Sequence, residues 1–312
     1  MEAVSADRPL SIGVQLPEVE REVRWSELRT MARLAEDVGF DSLWVGDHLL
    51  YRNPGEPAKG PWEAWSLLAA IGAVTERVEL GPLVAATAFH SPAMLAKKAA
   101  TVDEISGGRL VLGLGAGWNK VEFEAYGFVH DQTVARFAEA FTIVRTLLRE
   151  GAIDYEGEFY SARECELVPR GPRLNGPPIM LGARGPRMLR IGMAHADAWN
   201  GWHEWYGNRS DGLPNLLAEV DAACADVGRP PAEVTRSVVV LVALTGAVGR
   251  MAGDAAKREV EPMRGTPDEL AEALAAYAAH GISHLQLVLD PITPGAIEEM
   301  APVLERLDRA RK

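Results

Sequence analysis

Residues 91–118 read SPAMLAKKAATVDEISGGRLVLGLGAGW, and their order decides the fold. Pro92 suits the first turn of a helix, where its missing N–H costs nothing. The helix it opens ends near Ser106-Gly107-Gly108, where glycine takes up the left-handed conformation at low cost. Residues 110–115 then form an apolar strand that leaves through closely spaced glycines. A helix delivering the chain into a short strand is one half of a parallel β/α repeat.

The same alternation continues in both directions. Upstream, 10–16 reads as a strand and Ser26 as the cap of a helix carrying Leu28, Met31, Leu34, Ala35 and Val38, closed by Gly39. A second strand, 42–45, ends in Gly46-Asp47-His48; a helix over 62–74 and a strand over 78–84 follow. Downstream, strands are predicted at 178–182, 198–202, 237–245 and 284–289. Helices are predicted at 136–149, 186–194, 215–227, 267–280 and 294–309. Thr266-Pro-Asp-Glu269 has the form of a capping box. Eight strands and eight helices predict a single α/β domain over 1–312, a (β/α)8 TIM barrel. Two stretches break the rhythm. Residues 151–177 predict a lid or insertion near the barrel mouth, with a short hairpin around 154–160, and 246–265 predicts a flexible flap.

Composition narrows the function. A net charge of −12, from 44 acidic and 32 basic residues, argues against nucleic acid or an anionic membrane as partner. Cys165 and Cys224 make neither a disulfide framework nor a zinc site, so the expectation is a cytoplasmic protein without a metal. The sequence has no Ser-His-Asp order and no HExxH.

In such a barrel the site lies where strands end. The candidates are therefore Gln15, Asp47, His48, Val84 to Thr87, Gly115, Ala116, Gly117, Trp118, Asn119, Gly182, Ala183, Arg184, Gly185, Asn200 and Trp202. Gly113-Leu-Gly-Ala-Gly117 fails the dinucleotide fingerprint, because Trp118 stands where its last glycine would be. Its glycines either permit a tight strand exit or let a ring or phosphate approach the backbone. Gly182-Ala-Arg-Gly185 joins a strand to a helix start, a place that attracts phosphate, and Arg184 and Arg187 add charge. His48 is read as functional, with Asp47 beside it; His90, His195, His203 and His284 have no comparable support. Trp62, Trp65, Trp118 and Trp202 are expected to line an apolar substrate pocket.

The segments GFDSLWVGDHLL (39–50), EAWSLLAAIGAVTERVELG (63–81) and SPAMLAKKAATVDEISGGRLVLGLGAGW, with ADAWNGW and RGTPDEL further on, resemble the luciferase-like monooxygenase superfamily, and most of all its F420-dependent branch. The resemblance covers nearly the whole chain. It implies a barrel with an inserted lid, usually dimeric, that binds the deazaflavin F420 or else FMN. It implies Asp47 and His48 beside the ring, Leu83 and Val84 behind it across a non-prolyl cis peptide, and 115–117 and 182–185 along the tail and phosphate. Where some deazaflavin relatives carry a glutamate proton donor, this chain has Trp118, so Asn119, Glu122 or water would have to substitute. Where FMN-using relatives often carry an arginine, it has Ala116. The implied activity is hydride transfer to or from a small organic substrate. The rivals are an FMN monooxygenase fed by a separate reductase and a cofactor-free binding protein.

Overall fold

The computed structural model describes residues 10–53, 55–249 and 260–309. Strand and helix alternate through β1 (Ser11–Gln15), α1 (Trp25–Val38), β2 (Ser42–Val45), α2 (Ala64–Val74), β3 (Glu79–Pro82), β4 (Ala85–Ala86), α3 (Pro92–Ile105) and β5 (Leu112–Gly115). The loop after β5 holds α4 (Lys120–Tyr126) before α5 (Thr133–Glu150), the hairpin β6 (Ala152–Glu156) and β7 (Ser161–Glu166), and β8 (Ile179–Gly182). Then come α6 (Pro186–Met193), β9 (Ala198–Gly201), α7 (Leu213–Asp226), β10 (Thr235–Ala243), α8 (Pro267–Ala275), β11 (His284–Asp290), α9 (Pro294–Glu299) and α10 (Ala301–Arg309).

Nine strands pair in the order β3-β2-β1-β11-β10-β9-β8-β5-β4, in parallel register throughout. β3 and β4 are two halves of one barrel strand, separated by Leu83-Val84, whose peptide is cis. A bridge from Leu80 to Leu110 links the β3 edge to the start of β5. The result is an eight-staved barrel, as the alternation predicted. The strand period of two sorts the side chains. Val238, Val240 and Val242 of β10 face the main core, while Val239 and Leu241 join Trp44, Leu83, Met180 and Val288 inside the barrel.

Three local expectations need correction. Helix α1 begins at Trp25 after Arg24, with no side-chain cap, so Ser26 sits inside the first turn rather than capping it. Gly39 does close it, at φ 103°. The long loop after β5 contains a short helix, α4, ended by Gly127 at φ 74°. The insertion at 151–177 contributes nothing to the cavity lining. It follows a helix, so it leaves from the end of the barrel opposite the strand C-termini that make the mouth. Its hairpin is fastened along α5: Glu139 accepts the N–H groups of Glu158, Phe159 and Tyr160, and Arg136 lies over the Phe159 ring at 4.4 Å. The Thr266–Glu269 capping box is present as expected. Of the expected flap at 246–265, residues 250–259 lie outside the described residues; Asp290 accepts from the Val248 and Gly249 N–H groups on its near side. Among the described residues no helix is long and apolar enough to cross a membrane.

Candidate active site

The strand ends open on a cavity of about 830 Å³. Of the sequence candidates, Asp47, His48, Leu83, Val84, Gly115, Ala116, Gly117, Trp118, Asn119, Gly182, Ala183, Arg184 and Trp202 line it. Its floor is shaped by Val84. A Cβ on Gly115 would stand 2.8 Å from Val84 Cγ2, and one on Gly182 would stand 2.7 Å from Val84 Cγ1. The closely spaced glycines therefore make room first for a side chain of the protein itself. Gly185 lies just outside the lining, at φ 90°, as the N-cap of α6; no side chain caps that helix and Pro186 opens it.

Three expected members are elsewhere. Trp62 is 50% exposed and donates to Val23 O at 2.7 Å, outside the cavity. Trp65 is buried on α2 behind the cavity wall, edge-on to His90. Trp62 lies in the loop just before the N-cap Glu63 and Trp65 in the first turn of α2, so one indole meets the neighbouring loop and the other the core rather than the strand ends. Gln15 is buried outside the cavity lining and donates to Glu18 Oε2 at 2.7 Å; Glu18 itself lines the cavity.

His48 is the centre of the polar wall. Its Nδ1 lies 2.9 Å from Glu122 Oε2, and its Nε2 lies 3.9 Å from Glu18 Oε1. Glu122 is wholly buried and also accepts from the Leu49 and Leu50 N–H groups. Burial by itself opposes a charge on Glu122, but the bond from His48, the attraction of its ring and the two amides outweigh it and hold the carboxyl below the usual range. Burial likewise opposes a charge on His48, yet Glu18, Glu122 and Asp47 outweigh it and lift the ring above the ordinary imidazole value. The two shifts agree in sense: each favours a proton on His48 and a negative charge on Glu122. Glu18 in turn accepts from the Tyr51 hydroxyl at 2.8 Å. Tyr51 and Trp118 flank the imidazole, with ring centroids 4.9 and 5.7 Å away, and Trp118 is 66% exposed at the cavity rim.

Asp47 does not pair with its neighbour His48. Its Oδ2 accepts from Ala86 N–H at 2.9 Å and from His90 Nε2 at 2.8 Å. Among the described residues no cluster of His, Cys, Asp and Glu is arranged to hold a metal ion.

A model of the luciferase-like monooxygenase family matches residues 10–264. The chain belongs to that family. It is 37% identical to a 5,10-methylenetetrahydromethanopterin reductase of Archaeoglobus fulgidus over 170 residues, a match spanning 54% of this chain and only 47% of that protein. It is 30% identical over 276 residues to the phthiodiolone/phenolphthiodiolone dimycocerosates ketoreductase of Mycobacterium tuberculosis, covering 82% of this chain and 70% of that one. Among solved structures, an F420-dependent secondary alcohol dehydrogenase in complex with an F420-acetone adduct superposes with a TM-score of 0.80 at 17% identity, over 96% of this chain and 99% of the other. That likeness establishes the shared barrel.

The geometry adds neighbours that the sequence pattern does not bring together. Glu18, Tyr51 and His90 surround the predicted Asp47-His48 pair, and Glu122 is the strongest partner of His48. Glu18 had one readable signal, its place just beyond the first strand's exit. His90 had almost none, because it reaches the site from a helical turn beyond a strand end; Glu122 is among the substitutes for the proton donor missing at Trp118, but its bond to His48 is not readable in the sequence.

Proposed function

We propose that this chain is an F420-dependent oxidoreductase that exchanges a hydride between the deazaflavin and a small organic substrate, with His48 managing the accompanying proton. The observation that carries this reading is the imidazole held between Glu122 and Glu18 on the cavity wall. Nδ1 is committed to Glu122, which leaves Nε2 as the atom that addresses a reacting oxygen or nitrogen. When a carbonyl or imine is reduced, Nε2–H supplies the proton; when an alcohol is oxidised, Nε2 accepts it. Glu122 stabilises the imidazolium in both directions, and Glu18, on its other side, does the same at longer range. Trp118, Tyr51 and Trp202 supply apolar walls for the organic part of the substrate.

The residues present fit the cofactor. A wide cavity, a floor of glycines beneath Val84 and an uncapped helix start after Gly185 suit a planar ring with a phosphate tail. Leu83, Val84, Asp47 and His48 would hold the ring, and Gly115, Ala116, Gly117, Gly182, Ala183, Arg184 and Gly185 the tail. Bound there, F420 supplies a two-electron hydride carrier. Ala116 lines the cavity where an arginine would serve the monoester phosphate of FMN. Arg184 leans towards Glu219 at 3.3 Å, so its charge is already shared. Both features suit a singly charged phosphodiester better.

The same reading includes a homodimer, supported by the apolar outward residues Ala73 of α2 and Met94 and Ile105 of α3. It includes a cytoplasmic setting, supported by two free cysteines, and a separate enzyme that renews the cofactor. Titration of the purified protein with F420 and with FMN, followed by absorbance, tests it. Saturable F420 binding is expected. Tight FMN binding without F420 binding would replace this reading with the monooxygenase, and binding of neither would favour a cofactor-free binding protein.

A further inference from the structure

Behind the cavity wall a chain of polar groups runs from α3 to Asp47. Lys98 Nζ lies 3.4 Å from His90 Nδ1, and His90 Nε2 lies 2.8 Å from Asp47 Oδ2. The direction of these bonds is fixed by chemistry. A lysine ammonium can only donate, so Nδ1 must accept and the ring proton must sit on Nε2, where it is given to Asp47. Lys98 also lies within electrostatic reach of Glu63, the N-cap of α2. Trp65 of the same helix stands edge-on to the imidazole, at 6.3 Å between centroids and 88° between planes, and restrains its rotation. Asp47 is buried yet lines the cavity, and both its bonds from Ala86 and His90 fall on Oδ2. Oδ1 does not count among the buried atoms left without a partner; it opens onto the cavity.

We propose that His90 and Lys98 are positioning residues for Asp47: Lys98 locks His90 in the Nε2–H tautomer, and His90 holds Asp47 with Oδ1 presented to the cavity as a pure acceptor for an N–H or O–H of the bound ring or substrate. The ligand half of this inference rests on the F420 reading; the tautomer half does not. Asp47, Lys98 and, through Lys98, Glu63 are the charged groups facing the His90 ring. Removing the Lys98 ammonium takes away the donor that keeps Nδ1 an acceptor, so the tautomer is no longer fixed.

The test combines a spectroscopic arm with a binding arm. Ring ¹⁵N resonances of His90 in the wild type should report a proton on Nε2 and Nδ1 as the acceptor. In Lys98→Met the Nδ1 resonance should move as that nitrogen loses its donor, and Lys98→Arg should restore the wild-type pattern. In the binding arm, His90→Leu should weaken oxidised F420 roughly tenfold or more, while His90→Gln, which keeps a donor where Nε2 stood, should recover most of the loss. Unchanged His90 resonances in Lys98→Met, or equal F420 affinity in His90→Leu and the wild type, would overturn the proposal. The spectroscopic arm needs no cofactor, so it decides the tautomer half even if F420 fails to bind and the functional reading falls.

Discussion

Glu122 Oε2 and His48 Nδ1 stand 2.9 Å apart although 74 positions separate the two residues in the chain. The turn of α4 that carries Glu122 places its carboxyl against the backbone of the loop holding His48, so one group orients both the ring and the loop.

The first expectation follows from that contact. Glu122→Gln keeps an acceptor but removes the charge, so His48 should lose its proton at lower pH. Turnover should fall roughly tenfold or more, and the alkaline limb of its pH profile should move towards neutrality. The signs for stability run oppositely for the two partners. His48 has a raised folded pKa, so its contribution is complete below 6.5, the ordinary value, and is lost as pH climbs through the raised one. Glu122 has a depressed folded pKa, so its contribution is present above 4.5 and is lost as pH falls through the lower value. Wild type and variant should therefore differ most in urea midpoint between about 4.5 and 6.5, and less at alkaline pH. A difference independent of pH would count against the ion pair.

His48→Ala should cost turnover, by about 10²–10⁴-fold, with little change in F420 affinity. Loss of cofactor binding with normal turnover per bound cofactor would instead give His48 a structural role.

Gly182→Ala should be felt in both stability and binding. The new Cβ would press on Val84 at 2.7 Å, between β8 and the cavity floor. We expect a loss of about 1–3 kcal/mol by urea denaturation and a weaker cofactor, as Val84 is pushed into the space above it. Unchanged affinity would mean that the floor carries no ligand.

Inside the barrel, away from the cavity lining, His284 Nε2 meets the Ser42 hydroxyl at 2.7 Å, and the same hydroxyl accepts from Trp44. Burial pushes His284 down from 6.5 to about 4. Between those values the unfolded chain binds the extra proton and the folded one does not, so stability from this group rises with pH across that window. His284→Gln should flatten the dependence of the urea midpoint on pH there. Parallel curves for the two proteins would remove His284 from the account.

The barrel was legible because each β/α unit carries its own punctuation, such as Gly39, Ser106-Gly107-Gly108 and the Thr266 box. Residues at strand exits were legible for the same reason: position in a unit fixes position at the mouth. What could not be read were contacts made across units. His90 reaches Asp47 over 43 positions, and nothing in the local pattern around His90 distinguishes it from a core histidine. Trp62 and Trp65 misled in the opposite direction. Aromatic residues near a mouth suggest a pocket, but these two belong to a helix start and are used as a tether to Val23 and as packing behind His90.

The hairpin fastened to α5 has a practical side. Its strands expose Glu156 and Arg163, which are ion-paired to each other at the surface, and its turn is gripped by Glu139. A Cβ on Gly157 would collide with that carboxylate at 2.3 Å, so the turn itself tolerates little change. The outer edge carries no such constraint and lines no part of the cavity. A dye or affinity handle attached at position 163 would sit on a rigid outrigger, able to immobilise or track the protein without entering its cavity.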